Sequence, residues 1–137
     1  MSSFVLDASV ALGWLVDDPP PVYALRIQRL MIGGSLPVVP VHWHLEIANA
    51  LLMAERRKIL RRKVADVLDD IAALLAFIEA DSLPDHIGVL VGIGQRQRLT
   101  AYDAAYVALA ARRNLPLATQ DAAMASAARS LKIPIVR

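Results

Sequence analysis

The stretch "SSFVLDASVALGWL", Ser2–Leu15, holds two patterns that meet at one residue. Phe4, Val5 and Leu6 are an apolar, β-rich run that reads as a buried strand, and the segment after it reads as a short helix with Ser9 placed to cap it. Asp7 sits at the junction. An ionised carboxylate taken out of water without a partner costs several kcal/mol, so a cation, a set of donors or a protonated neighbour has to compensate it.

Outward from that junction, strand and helix patterns alternate. Prolines in "DDPPPVYALRIQRLMIGG" (17–34) mark where a helix begins and Gly33-Gly34 where it ends. "LPVVPV" (36–41) reads as a strand. "HWHLEIANALLMAERRK" (42–58) puts Trp43, Ile47, Ala50, Leu51 and Ala54 on one helical face. A helix over 63–75, a strand in "FIEAD" (77–81) and a helix from after Pro84 to about Arg98 follow. Gly88, Gly92 and Gly94 weaken that last helix by about 1 kcal/mol each relative to alanine. "LTAYDAAYVALAARRN" (99–114) is the clearest helix, and "PLAT" (116–119), "DAAMASAARSL" (121–131) and "IPIVR" (133–137) read as strand, helix and strand. The connections are too long for hairpins, so the pattern predicts an α/β fold with a mainly parallel sheet covered by helices on both faces.

The chain has 137 residues, which fits one domain over 1–137. With 56% hydrophobic residues against 20% charged it fills a substantial core, and a mean hydropathy of +0.44 leaves apolar surface for a partner or a second copy. No apolar run approaches the ~20 residues that span a bilayer, and no basic segment precedes an apolar one as in a secretory leader. The absence of cysteine excludes disulfides and thiolate metal sites and suits the cytoplasm. Net charge is +2, but cations cluster: six of nine residues in "ERRKILRRK" (55–63), then Arg96 and Arg98, then Arg112 and Arg113. Such clusters are either solvated helix ends or a surface for a polyanion.

In an open parallel sheet, ligands bind beyond the carboxyl ends of the strands. Asp7 ends the first strand, Asp121 follows Thr119 at the end of "PLAT", Glu46 lies a turn into the helix after "LPVVPV", and Asp103 lies in the first turn of its helix. All four carboxylates can therefore converge on one rim. Structural alternatives stand beside this: Asp103 in a capping box with Thr100, Asp121 as an N-cap, Glu46 facing water. Clustered carboxylates repel one another and raise their own pKa values unless a cation intervenes. Oxygen ligands alone favour Mg²⁺ or Mn²⁺, which activate water and neutralise charge at a phosphodiester. An acidic rim with basic flanks is a nuclease-like combination.

"FVLDASVALGWL", "HWHLEIANALL", "LTAYDAAYVALAARRNLPLATQD" and "ARSLKIPIV" together resemble PIN-domain proteins, more narrowly the VapC-type toxins of bacterial toxin–antitoxin pairs. The resemblance covers nearly the whole chain in order. It implies a three-layer α/β/α sandwich, Mg²⁺- or Mn²⁺-dependent endoribonuclease activity leaving 5′-phosphates, a VapB-like antitoxin, and a homodimer. It also implies Asp7, Glu46, Asp103 and Asp121 as the catalytic, metal-binding quartet, with Asp7 and Asp103 the firmest ligands. Ser9 and Thr119 then orient the acids or the water, and Asn49, on the same helical face as Glu46, supports the site. Arg56, Arg57, Lys58, Arg61 and Arg62 are the candidate contacts to RNA, with structured transfer or ribosomal RNA as the substrate class.

Other readings compete. His42, His44 and Glu46 form a metal trio only on an extended strand; on a helix His42 neighbours Glu46 and His44 points away. Trp14, Trp43, Tyr102 and Tyr106 are expected to pack the core or a dimer face. A phosphatase working through an aspartyl phosphate wants a second acid where Ser9 stands. An RNA-processing nuclease outside a toxin–antitoxin pair and a catalytically silent antitoxin-binding module are the remaining alternatives. The segment Pro20–Lys63 is expected to offer a groove for an amphipathic peptide.

Overall fold

The computed structural model describes residues 2–137. Four strands, β1 (Ser3–Leu6), β2 (Leu36–Pro40), β3 (Glu79–Asp81) and β4 (Leu117–Ala118), form one sheet in the order β3-β2-β1-β4, and every pairing is parallel. Val5 on β1 faces Val38 on β2 and Leu117 on β4, so the strand that delivers Asp7 is internal. Burial on both faces explains its unbroken apolar run. Seven helices complete the three-layer α/β/α sandwich: α1 (Ala8–Leu15), α2 (Val22–Ile32), α3 (Trp43–Arg56), α4 (Val64–Leu75), α5 (Ile87–Gln97), α6 (Ala101–Arg113) and α7 (Ala122–Ser130). The first four gather around α1, while α5 and α7 pack on α6, which itself lies against β1, β2 and β4.

Local chemistry sets the helix boundaries that matter for the site. Thr100 caps α6 by accepting the Asp103 N–H at 3.2 Å, and Asn114 ends it in the left-handed conformation that asparagine tolerates. On α3, Trp43, Ile47, Leu51 and Ala54 are buried, while Ala50 at the edge of that face is half-buried. Of the three glycines in α5, Gly94 has a packing reason: a Cβ there would lie 2.9 Å from the Leu99 carbonyl oxygen. Gly88 faces open space, and Gly92 would meet only the flexible end of Arg96.

Two sequence expectations need correcting, and a third is narrowed. Ser9 is not the cap of α1, because the helix already begins at Ala8, with Asp7 in the cap position making no side-chain cap bond. "IPIVR" forms a single bridge, Leu117 to Ile135, rather than a strand; Pro134 has no N–H with which to extend the ladder. Of the four aromatics expected in the core or a dimer face, Trp43 and Tyr106 are buried and Trp14 is half-buried, its indole N–H bonded to the Ala24 carbonyl. Tyr102, however, is 65% exposed. It lies in the first turn of α6, ahead of the run Tyr106–Ala110 that the core covers.

Arg112 and Arg113, read from the sequence as a helix end or a polyanion surface, face acids. Their guanidiniums reach Asp81, Asp85 and Glu79 and fasten the end of α6 to the edge strand β3.

Candidate active site

Asp7 leaves β1 with its backbone N–H on the Ala118 carbonyl at 3.0 Å, so β1 and β4 end together. Its side chain is 5% exposed. Two hydroxyls converge on it: Ser9 Oγ and Thr119 Oγ1 each donate to Oδ2 at 2.7 Å. Those hydroxyls are themselves held from behind, Ser9 Oγ by the Gln120 N–H at 3.2 Å and Thr119 Oγ1 by the Asp121 N–H at 3.0 Å. The loop after β4 thus fixes the orientation of a carboxylate on β1, and both hydroxyls use one oxygen, so neither occupies Oδ1. Burial pushes the Asp7 pKa above its ordinary value, and the nearby charge of Asp121 adds to the rise against the hydrogen bonds that oppose it.

The other three acids face the same region. The Asp103 pKa is raised by burial, then by the charges of Asp121 and Asp7. That of Glu46 is raised by burial, with smaller contributions from Asp7 and Asp103, against the lowering effect of its donors Tyr106 and His42. Asp7, Glu46 and Asp103, from three separate elements, each feel the charge of at least one other acid at the carboxyl edge of the sheet, and Asp121 is among the charges acting on Asp7 and Asp103. The structural alternatives hold alongside: Asp121 Oδ1 accepts the Met124 N–H at 2.8 Å as the N-cap of α7, and Thr100 caps α6. Capping uses one oxygen of Asp121 and the backbone of Asp103, so neither role removes the carboxylate from the rim.

Sequence reasoning missed Tyr106. Its buried phenol donates to Glu46 Oε1 at 2.5 Å, and burial followed by the adjacent Glu46 charge pushes its own pKa upward, so it remains a donor. No spacing in the sequence signals this contact, which depends on how α6 crosses α3. His42 also reaches Glu46 Oε1, at 3.3 Å, and lies 3.0 Å from the Tyr102 carbonyl oxygen through the same Nε2. Both neighbours are acceptors, so Nε2 carries a hydrogen. His44 is exposed with its ring edge against Trp43, and the histidine trio does not form. Asn49 is exposed and makes no hydrogen bond to the four acids.

An all-oxygen donor set in which Asp7, Glu46 and Asp103 all have raised pKa values has the chemistry that suits a hard divalent cation. Among the described residues, no three His, Asp or Glu side chains lie close enough to enclose an ion directly. The candidate RNA contacts, Arg56, Arg57, Lys58, Arg61 and Arg62, are all exposed. Arg62 pairs with Asp70 at 2.7 Å and Arg61 lies 4.0 Å from Asp18, whereas the other three make no ion pair among the described residues.

A family model described as PIN domain matches residues 4–130. Among solved structures, PAE2754 from Pyrobaculum aerophilum is similar with a TM-score of 0.70 at 17% identity, over 92% of this chain and 84% of that one. FitAcB from Neisseria gonorrhoeae is similar with a TM-score of 0.58 at 15% identity, over 98% and 96%. At such identities the likeness is one of fold. No curated protein matches the chain.

Proposed function

The chain belongs to the PIN-domain family, a family of nucleases, and from that premise we propose that it is a divalent-metal-dependent endoribonuclease serving as the toxin of a VapBC-type pair in the cytoplasm. The observation that carries this reading is the Asp7 carboxylate, buried, aimed by two hydroxyls and electrostatically coupled to the other acids. A carboxylate with a raised pKa, held at the price of stability, is characteristic of functional sites. Asp7 and Asp103 would be the firmest ligands of the ion, with Glu46 and Asp121 binding it directly or through water. Mg²⁺ or Mn²⁺, when bound, supplies Lewis acidity that activates water and neutralises charge on a phosphodiester. Ser9 and Thr119 keep Asp7 in one orientation, and Tyr106 does the same for Glu46. The basic turn Arg56–Lys58 holds RNA backbone away from the acids, since an acidic rim alone repels phosphate.

An apolar groove of about 540 Å³ supports the antitoxin part of the proposal. Trp14, Met31, Ile32, Leu74 and Phe77 line it, and an amphipathic helix is the partner its shape and polarity suit. The groove runs between α1, α2 and α4, so only Gln28, Met31 and Ile32 come from the segment Pro20–Lys63 expected from the sequence, and α1 and the end of α4 with Phe77 supply the rest. Exposed Leu83, Ile87, Val89 and Val91 support a homodimer.

The test is incubation of the purified, antitoxin-free protein with total transfer and ribosomal RNA in Mg²⁺, Mn²⁺ or EDTA. Discrete fragments bearing 5′-phosphates that vanish in EDTA are expected. Intact RNA in every condition, together with no effect of either metal on the melting temperature, overturns the reading.

Thr119→Val keeps the shape of the side chain but removes the donor to Asp7 and the acceptor for the Asp121 N–H. Metal affinity and kcat/KM are expected to fall about 10- to 100-fold, as for other groups that orient a ligand. Thr119→Ser retains both bonds and stays near wild type. Metal titrations of the cleavage rate distinguish the two variants.

A further inference from the structure

An acidic rim cannot grip RNA by charge, and the basic turn Arg56–Lys58 begins ten residues along α3 from Glu46, about 15 Å at the rise of an α-helix. Contact near the cut must come from something other than a cation. Tyr102 meets that need. It precedes Asp103, is 65% exposed, and its phenol makes no hydrogen bond among the described residues.

Its backbone is nevertheless fixed. The Thr100 cap sets the first turn of α6, and His42 Nε2 lies 3.0 Å from the Tyr102 carbonyl oxygen. The His42 ring centroid is 5.8 Å from that of Tyr102 at an interplanar angle of 58°, and 5.2 Å from that of buried Tyr106 in an edge contact. The exposed ring is thereby tied through His42 to the residue that holds Glu46. The tilt leaves ring surface of Tyr102 open to solvent. A rigidly based, open aromatic face beside a nucleolytic site is suited to a base that has left its own stack.

We propose that Tyr102 is a stacking platform for a nucleobase of single-stranded RNA adjacent to the scissile phosphate, an inference that rests on the endoribonuclease reading above. Stacking is sequence-tolerant, so Tyr102 selects for an unpaired nucleotide at the cut more than for its identity. His42 acts as a positioning residue that sets the tilt of the platform.

The experiment uses the full chain, the RNA cleaved most readily in the pool, and the same RNA with the base nearest the mapped cut removed. For Tyr102→Ala, KM is expected to rise about 5- to 100-fold with kcat little changed, the range measured when an aromatic platform loses its ring. Tyr102→Phe and Tyr102→Trp keep wild-type KM. The abasic RNA raises KM for the wild type but adds nothing to the loss in Tyr102→Ala, because the interaction is already gone. Wild-type KM in Tyr102→Ala overturns the stacking role and leaves the nuclease reading standing. Equal falls in kcat for Ala, Phe and Trp, with KM unmoved, also overturn it, since they show a role in holding Asp103. A wild type that cuts no RNA removes the nuclease reading and this inference together.

Discussion

Asp7→Asn is expected to lose RNA cleavage by roughly 10³-fold, the order seen when a charge-stabilising group is removed from an active site, and yet to be more stable than the wild type in EDTA at neutral pH. Asparagine preserves the fit, since its amide oxygen accepts the Ser9 and Thr119 hydroxyls that now meet Oδ2. What disappears is a buried negative charge that burial and Asp121 both disfavour. Removing it should add on the order of 1 kcal/mol. The sign with pH follows from linkage. Because the native pKa of Asp7 lies above the ordinary 3.8, the native state binds more protons than the unfolded chain between those two values. Stability of the metal-free wild type therefore rises as pH falls from neutral through the native pKa, and Glu46 and Asp103 contribute slopes of the same sign. Asp7→Asn lacks its share of that slope. Melting temperatures across pH in EDTA, beside cleavage in Mg²⁺, measure both halves. Full activity in the variant, or identical melting curves at every pH, sinks the assignment.

Asp7 stands out in the sequence because its neighbours define it sharply: three apolar strand residues before it and a helix after it leave a carboxylate with no cation near it in the chain. The parallel character of the sheet was equally legible, because β1, β2 and β4 are short and apolar and helical periods separate the strands. The supporting contacts were not. Thr119 and Gln120 reach Ser9 and Asp7 across more than a hundred residues, and only the pairing of β1 with β4 brings them together. Tyr106 reads as one more core aromatic, and it is buried like one; the bond to Glu46 depends on the crossing of α6 and α3, which no spacing encodes. That Tyr102 lies outside the core was hidden for the converse reason. Alternation along α6 predicts which residues face inward but not how far its first turn extends beyond the core. The pairing of Arg112 and Arg113 with acids on β3 and after it is a tertiary fact of the same kind.

Those arginines lead to the second large effect, one of stability rather than catalysis. Asp81→Ala is expected to destabilise the fold by about 2–4 kcal/mol, somewhat under the ~3–5 kcal/mol of a fully buried ion pair because both guanidiniums are about one-third exposed. Asp81 is 8% exposed, accepts the Leu83 N–H at 3.0 Å, and takes Arg112 Nη1 at 3.3 Å and Arg113 Nη1 at 3.2 Å on Oδ2. β3 has only three residues and pairs with β2 alone, opposite a Pro40 that offers no N–H, so this side-chain knot does much of the work of holding the sheet edge. Urea unfolding should show a lower midpoint with an unchanged slope, while kcat below the melting temperature stays that of the wild type. The pH dependence runs opposite to that of Asp7, Glu46 and Asp103. Burial by itself pushes the Asp81 pKa up, but the Leu83 N–H and the two arginines outweigh it and hold the value below 3.8. Its contribution is therefore complete above 3.8 and is lost as pH falls through the lowered native value. The metal-free wild type gains stability from Asp7, Glu46 and Asp103 on the way down from neutral and loses it through Asp81 at the acid end, so its maximum lies on the mildly acidic side. In Asp81→Ala the acid limb flattens and the maximum moves lower still. A variant with the wild-type midpoint and the wild-type acid limb would show that the knot forms without holding the edge.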